Sequence, residues 1–541
     1  MLRSLIAGRF ALLGGVDPPN SPRPAVPVVP VVPGLTVPAP APVSQNPQSP
    51  NSAVLVEYPQ EQNQAGILVT AELDVAYQRV KAKVEAIARE CRARNSKFRD
   101  IEFDLEEDRE RCLHGLATTG DDRSTPADVR RVTQAFKNPQ FFVDGANESD
   151  VVQGELGDCW FLSGAAAIAC KKDLIEKVCV ARDEKVGVYG FIFMRDGFWR
   201  GVIVTLSLLY TSIPKYEELT PKEKNLYHAN KEKYNKNARL GSKSLYFAKS
   251  GTENETWVPL LEKAYAKLHG DYASLNGGRA GECIEDLTGG VSTYIHINDI
   301  LDPDQFWEEE LVRANKDRLF SCSIYEMRNS FGPVNDTVSG LFTGHAYSIL
   351  SAMEIRGKRF LRIRNPWGNS EWTGPWSDGS KEWTSEWLSA LEELGHTFGD
   401  DGAFVMEYED FLDTWTVVHR VRLFDPTWIM SSMWINANMR GPGSAWDYGD
   451  VSFTFNMPKA SPAILVLAQL DDRYFSDLSG SSKFTLDFKL FKKGEKEVLV
   501  NSSHSMFFGR SVNAELDLEA GDYVVHVRVD RQPFRNKVSP Y

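Results

Sequence analysis

The chain has 541 residues, 42% of them hydrophobic and 25% charged, with a formal net charge of −13. That is ordinary for a soluble globular protein of two to four domains, and it gives no electrostatic support to a nucleic-acid or anionic-membrane role. No run of eighteen apolar residues occurs, so no transmembrane segment is expected, and seven scattered cysteines without metal-ligand spacing point to a reducing, cytoplasmic location.

Residues 1–60 read as a disordered, Pro-rich tail. Met1 to Gly15 holds Arg3 and Arg9 and no acid, a faint targeting-like pattern. Pro18 to Pro50 then holds twelve of the 28 prolines, the composition of a polyproline-like spacer or of a ligand for a proline-binding module. Residues 61–97 carry an amphipathic helix. Leu73, Ala76, Val80, Val84 and Ile87 recur in steps of three and four, and basic residues gather at the end.

The next stretch, residues 98–290, is organised around Gln153-Gly-Glu-Leu-Gly-Asp-Cys-Trp160. Gly154 and Gly157 permit a tight backbone path. The apolar run from Trp160 to Ala169 predicts a buried helix with Cys159 at its N-terminus. There the unpaired N–H groups and the helix dipole favour a thiolate, the nucleophilic form of cysteine. Gln153 approaches the same helix end, where its amide can donate to an oxyanion beside the Cys159 N–H. A Lys-, Tyr- and Asn-rich insertion at 222–243 reads as a charged surface excursion.

Residues 291–417 form a β-rich second half. Gly344-His345 opens one apolar run and Phe360 to Asn365 ends another, with Glu354-Ile-Arg-Gly-Lys358 as the turn between them. An antiparallel hairpin with a small offset or bulge brings His345 and Asn365 side by side. A carboxamide beside an imidazole fixes its tautomer, and Trp367 is placed to cover that pair. Cys159, His345 and Asn365 together make nucleophile, base and orienter for acyl transfer. Residues 418–541 change texture to short strands with turns between, an antiparallel β-sandwich. No D-x-[DN]-x-[DN]-G loop with a closing Glu occurs, so no EF-hand is expected.

The chain resembles the calpain family of papain-like cysteine proteases, as a member without EF-hands. The resemblance rests on Gln153 to Trp160, Leu260-Leu-Glu-Lys-Ala-Tyr-Ala-Lys267, Glu285-Asp-Leu-Thr-Gly-Gly290, Gly344-His-Ala-Tyr-Ser348, Arg362-Ile-Arg-Asn-Pro-Trp-Gly368 and Glu371-Trp-Thr-Gly-Pro-Trp-Ser-Asp378, and covers roughly residues 98 to 415. It implies an α+β fold, a two-lobed protease core followed by the sandwich. It also implies an intracellular, calcium-dependent cysteine endopeptidase that performs limited proteolysis of protein substrates and uses no organic cofactor. Cys159, His345 and Asn365 are then the triad, Gln153 the oxyanion donor, and Trp367 with Gly344 part of the cleft.

By the same resemblance, one calcium site uses the carbonyls of Val143 and Gly145 with Asp150 and Glu255. A second uses Glu371, Asp378, Asp401 and the carbonyl near Gly399. Glu148 stands where the family often has an arginine, and Ala403 where it often has an acid. Those two positions pair across the core in the family, so this chain is expected to lack that link and to bind calcium with weak cooperativity. Two other readings compete with the protease. A catalytically silent calpain-like scaffold has no reason to keep the triad and Gln153. A transglutaminase-like transferase would carry Asp in place of Asn365.

Overall fold

The computed structural model describes residues 5–15, 54–55, 64–116, 125–171, 173–205, 209–325, 327–329, 332–335, 337–438, 446–473, 482–502 and 509–533. The chain begins with a strand, β1 (Leu5–Gly15), and a second, β2 (Val54–Leu55), follows. Both are paired: β1 lies in a C-terminal sheet and β2 beside residues 181–182. The expected disordered tail over 1–60 therefore fails at these two stretches, where sheet ladders satisfy the backbone donors and acceptors. The Pro-rich run at 16–53, with any proline-module ligand on it, lies outside the described residues.

Helix α1 (Ala71–Ala93) follows the predicted periodicity. The Thr70 hydroxyl accepts from the Leu73 N–H at 3.2 Å, an N-cap whose loss costs about 1 kcal/mol. Leu73, Ala76, Tyr77, Val80, Val84, Ala88 and Cys91 are buried, whereas the predicted Ile87 is only half-buried. This face docks on the protease region itself. A Cβ added to Gly190 or Gly201 would lie 2.4 or 2.3 Å from a Val80 methyl, so the sheet beneath needs glycine there.

Helix α2 (Cys159–Ala169) is buried from Trp160 to its end. It is followed by β3 (Cys179–Asp183), β4 (Val188–Arg195) and β5 (Phe198–Thr205), which with β2 form an antiparallel sheet in the order β2-β3-β4-β5. The 222–243 excursion folds into two short helices, Pro221–Leu226 and Lys231–Ala238. It is pinned by buried Tyr234, whose hydroxyl donates to the Pro214 carbonyl at 2.9 Å. Helices α3 (Trp257–His269) and α4 (Ala280–Thr288) complete this half. Gly164 of α2 lets α4 approach: a Cβ there would meet the Cys283 sulfur at 2.7 Å.

The second half is one six-stranded antiparallel sheet. Its strands are β6 (Val291–His296), β7 (Arg318–Ser323), β8 (Ala346–Ile355), β9 (Lys358–Arg364), β10 (Ala403–Glu407) and β11 (Val417–Arg422), in the order β6-β11-β7-β8-β9-β10. The expected boundary at 417/418 moves, because β11 completes this sheet and the C-terminal region starts after Arg422. That region has β12 (Trp428–Asn438), β13 (Trp446–Met457), β14 (Ser461–Gln469), β15 (Ser482–Lys492), β16 (Val498–Asn501), β17 (Ser511–Leu518) and β18 (Gly521–Pro533). They form two four-stranded sheets, β12-β1-β14-β17 and β13-β18-β15-β16, which share one apolar centre around Leu465, Phe488, Leu490 and Val525.

Buried ion pairs fasten this region to both protease halves. Arg510 pairs with Asp286 at 2.7 Å and with Glu285, and Arg473 pairs with Glu282, all on α4. Glu515 of β17 takes Arg420 and Arg422 of β11. Among the described residues, no helix is long and apolar enough to cross a membrane.

Candidate active site

The backbone of Gly154 and Glu155 runs against Tyr246 and Phe247, with the Glu155 N–H bonded to the Tyr246 carbonyl at 2.9 Å. A Cβ on Gly154 would lie 2.3 Å from the Phe247 carbonyl oxygen, so only glycine lets the chain pass. This path delivers Cys159 as the first residue of α2, as its position in the sequence predicts. The Gln153 N–H donates to the Pro366 carbonyl at 2.9 Å, a direct tie to the other half. Its side-chain Nε2 donates one hydrogen to the Leu156 carbonyl at 2.7 Å and has a second hydrogen left for a ligand.

Strands β8 and β9 form the predicted hairpin, closed by Arg356 and Gly357 in left-handed conformations (φ 52° and 76°). A bulge between Ile349 and Ser351 shifts the register by one, the offset that the sequence allowed for. His345 and Asn365 consequently meet: His345 Nε2 and Asn365 Oδ1 are 2.8 Å apart, both residues buried. The carboxamide cannot turn over. Its Nδ2 donates to the carbonyls of Asn369 (2.8 Å) and Ser370 (3.0 Å), and its Oδ1 also accepts from the Trp367 N–H at 3.1 Å. Oδ1 is thus an acceptor, Nε2 carries the proton, and Nδ1 is the basic nitrogen. The Trp367 ring covers the imidazole, with centroids 4.5 Å apart, and also contacts Phe342. Gly344, exposed at φ 65°, turns the chain into His345 while its N–H donates to the Ile324 carbonyl at 2.8 Å.

Cys159 and His345 are both uncharged near neutral pH. Burial pushes the Cys159 thiol up to about 11, against a hydrogen bond from the Ala346 backbone amide, and burial lowers His345 to about 4. Between those values both are neutral, and no hydrogen bond joins the sulfur to the imidazole. A thiolate–imidazolium pair needs the two to move together.

Sequence reasoning passed over a buried carboxyl pair next to Cys159. Asp158, immediately before Cys159, is fully buried, raised to about 7 by burial, and its oxygens meet no N–H or hydroxyl donor. Glu262 of α3 is raised well above the usual carboxylate range by burial and then by Asp158, and accepts from the Ala248 N–H at 3.1 Å. The Asp158 charge thus disfavours that of Glu262. Both lie inside the quoted motifs, but sequence spacing shows no contact across 104 positions.

The candidate calcium ligands fall in two clusters. Asp150 and Glu255 are fully buried side by side. Thr252 Oγ1 and the Trp257 indole donate to Asp150, Ser250 Oγ and the Val143 N–H donate to Glu255, and burial lifts Glu255 to about 7, with the Asp150 charge adding to it. Asp144 and Gly145, both at positive φ (62° and 89°), turn the loop just after Val143, whose N–H reaches Glu255. Two desolvated carboxylates with the Ser250 and Thr252 hydroxyls beside them fit a hard cation.

In the other half, Glu371 Oε1 accepts from the Asp401 and Gly402 N–H groups at 3.1 and 2.9 Å. Asp378 accepts from the Gly399 N–H at 2.7 Å and from His396 Nε2 at 2.9 Å, assigning the imidazole as donor. Glu371 is raised to about 7, first by burial and then by Asp378 and Asp401. The acid set fits a cation here too, with His396 as a neighbour that sequence reasoning did not include. The tightest trio of potential ligands among the described residues is His269, Asp286 and Asp471, but Arg473 and Arg510 already neutralise those carboxylates.

Both clusters reach Asn365 through a few bonds. The Gly402 carbonyl accepts from the Asn365 N–H at 2.8 Å. Arg364, the residue before Asn365, donates to the Val151 carbonyl at 2.7 Å, next to Asp150. Glu148 pairs with Arg362 across the two halves at 3.2 Å. Ala403 carries no charge to meet it, and Glu148 instead meets an arginine on β9.

Residues 98–422 match the model of the calpain family of cysteine proteases. The chain belongs to that family. Rat calpain-9 (Rattus norvegicus) is 29% identical over 444 residues, 73% of this chain and 58% of its own length. Rat calpain-5 is 28% identical over 494 residues, 81% of this chain and 71% of its own. Calpain-A of Drosophila melanogaster is 35% identical over 296 residues, 52% of this chain and 32% of its own. This chain thus spans little more than half of calpain-9 and about a third of calpain-A.

Proposed function

We propose that this chain is an intracellular, calcium-dependent cysteine endopeptidase that cleaves protein substrates at limited sites through Cys159, His345 and Asn365. The observation that carries this reading is the 2.8 Å contact between His345 Nε2 and a carboxamide locked by two carbonyls, across from the helix that begins at Cys159. The architecture read with it is a papain-like pair of lobes followed by an antiparallel β-sandwich.

The chemistry follows from the tautomer. His345 Nδ1 takes the Cys159 proton, and the sulfur attacks the scissile carbonyl. The negative oxygen that forms is held by the Cys159 N–H and the free hydrogen of Gln153 Nε2. When the C–N bond breaks, the imidazolium gives its proton to the leaving amine, and an acyl-thioester is left on Cys159. His345 then takes a proton from water, whose oxygen attacks the thioester and releases the second product and the thiol. Asn365 holds the imidazole in orientation throughout, and Trp367 keeps water off the pair.

Asp150 and Glu255 with the carbonyls of Val143 and Gly145 would hold one calcium ion. Glu371, Asp378 and Asp401 with the carbonyl near Gly399 would hold the other. Bound calcium would supply positive charge that favours the ionised forms of Glu255 and Glu371, which burial disfavours. Its effect on rate is conformational: the loops it fixes run directly into Gln153 and Asn365, and a displacement of about 1 Å in such a site costs on the order of a hundredfold.

The test is chemical. A peptidyl epoxide should alkylate Cys159 ahead of the other six cysteines, and faster at neutral pH with calcium than with chelator. Peptide mass mapping that finds the label elsewhere, or an unchanged rate, contradicts the proposal. The Glu148–Arg362 pair, each side chain about a quarter exposed (22% and 24%), is proposed as the coupling between calcium sites. Glu148→Gln should raise the calcium needed for half-maximal rate about 1.5- to 5-fold, the effect of a partly exposed ion pair. Glu148→Arg with Arg362→Glu should recover it, and failure to do so removes this pair from the coupling. The free cysteines favour a cytoplasmic protein, which a fluorescent fusion checks.

A further inference from the structure

Strand β1 occupies an unusual place. It comes from the first residues of the chain, yet it is an interior strand of a sheet otherwise made by residues beyond Trp428. Its backbone pairs antiparallel with β12 along its whole length, from Leu5 opposite Asn438 to Gly15 opposite Trp428. On the other side it pairs with β14, from Gly8 opposite Gln469 to Gly14 opposite Ala463. Among the described residues no direct ladder joins β12 to β14, and β12 reaches the rest of its sheet through β1. The C-terminal residues therefore build an acceptor with one strand missing in the middle.

The geometry makes that gap hard to close from within. Because β1 is antiparallel to both neighbours, β12 and β14 run parallel to each other. Without β1 they would face each other across about two strand spacings, roughly 9.5 Å, each with a row of unpaired N–H and C=O groups. The register also has an apolar logic. Phe10, Leu12 and Gly14 stand opposite Leu467, Leu465 and Ala463, and those three β14 residues are buried in the apolar centre shared by the two sheets. On the outer face of the same sheet, Ile464 is buried against the protease region, and Trp434 stacks on Phe198 at 6.1 Å. The slot thus lies between the C-terminal core and the Cys159 half.

We propose that the groove between β12 and β14 is a strand-binding site whose ligand is the segment Leu5–Gly15 of this same chain. The segment is held by two backbone ladders and by register, in the manner of strand addition to a sheet, and not by its covalent link to residue 54. The link only raises its local concentration to about the millimolar range. The segment therefore stays in place when the chain is cut between Gly15 and Val54, and a separate copy of it fills the groove of a chain that lacks it.

The experiment uses the full chain with Cys159→Ala, so that no self-cleavage intrudes, and a recognition site for an unrelated sequence-specific endopeptidase inserted between Gly15 and Val54. After cutting, the N-terminal fragment is expected to co-elute with the remainder on gel filtration, and the Tm to match the uncut protein. Release of the fragment overturns the proposal. Ala11→Pro in the same chain removes a ladder donor from a strand paired on both sides, and is expected to release the fragment once the chain is cut; retention overturns it. A chain lacking residues 1–15 is expected to lose several degrees in Tm and to regain them with a synthetic Leu5–Gly15 peptide, but not with a scrambled one. A deletion chain with the parent's Tm and no response to peptide overturns the proposal, and one recovered only as aggregate leaves the cutting experiment to decide.

Discussion

Cys159→Ala is expected to reduce peptide-bond hydrolysis to background while leaving the fold intact. The thiol is the one nucleophile that begins α2 next to Ala346, beside the imidazole that Asn365 orients. Without sulfur there is no acyl intermediate, so His345 and Gln153 have no covalent step to assist. Structurally, the change removes one half-buried atom from the first residue of the helix. It leaves Trp160 with its indole bonded to the Leu275 carbonyl at 2.8 Å, so stability should shift by no more than about 1 kcal/mol. Casein digestion with circular dichroism and a thermal melt checks both halves of this statement. Calcium-stimulated cleavage by the alanine variant would end the assignment of Cys159.

Gln153→Ala is expected to lower kcat by about 10² to 10³, the loss for one oxyanion donor, with KM changed little. The backbone tie from the Gln153 N–H to the Pro366 carbonyl survives this substitution, so the two halves keep their contact. The lost group is the Nε2 hydrogen not used by Leu156. An interaction made only in the transition state shows in kcat and kcat/KM together. A loss below about threefold would mean that the amide points away from the developing oxyanion. A rise in KM alone would make Gln153 a substrate contact.

Much of this site was legible in the sequence because it is written locally. Cys159 is read as a nucleophile from two glycines, a polar approach and an apolar helix. The His345–Asn365 contact is read from two strands and a Gly357 turn, and even its bulge falls within the expected offset. What was missed joins residues far apart in the chain. Glu148 looked like an orphan of a lost pair, since nothing local marks Arg362 as its partner 214 positions on. Asp158 and Glu262 each sit in a recognisable motif, but the rise in both carboxyls is a property of burial. The N-terminal strand was misread for a different reason. Leu5–Gly15 has a short, Gly-interrupted pattern that edges into Pro-rich sequence, and its pairing partners begin beyond residue 428. Strand propensity is decided by the neighbours it packs against, and here those neighbours are at the other end of the chain.

The most direct measurement is the rate of casein hydrolysis as a function of free calcium, for the unmutated chain and for Asp150→Ala with Glu255→Ala. Each protease half holds its own acid cluster, and each cluster lies a few bonds from Gln153 or Asn365. Calcium should therefore raise the rate of the unmutated chain at least tenfold over chelator, and the double variant should stay at the chelator rate at every calcium level. Full activity in chelator, or a double variant that responds to calcium like its parent, would contradict the account and leave the two halves assembled by their own packing.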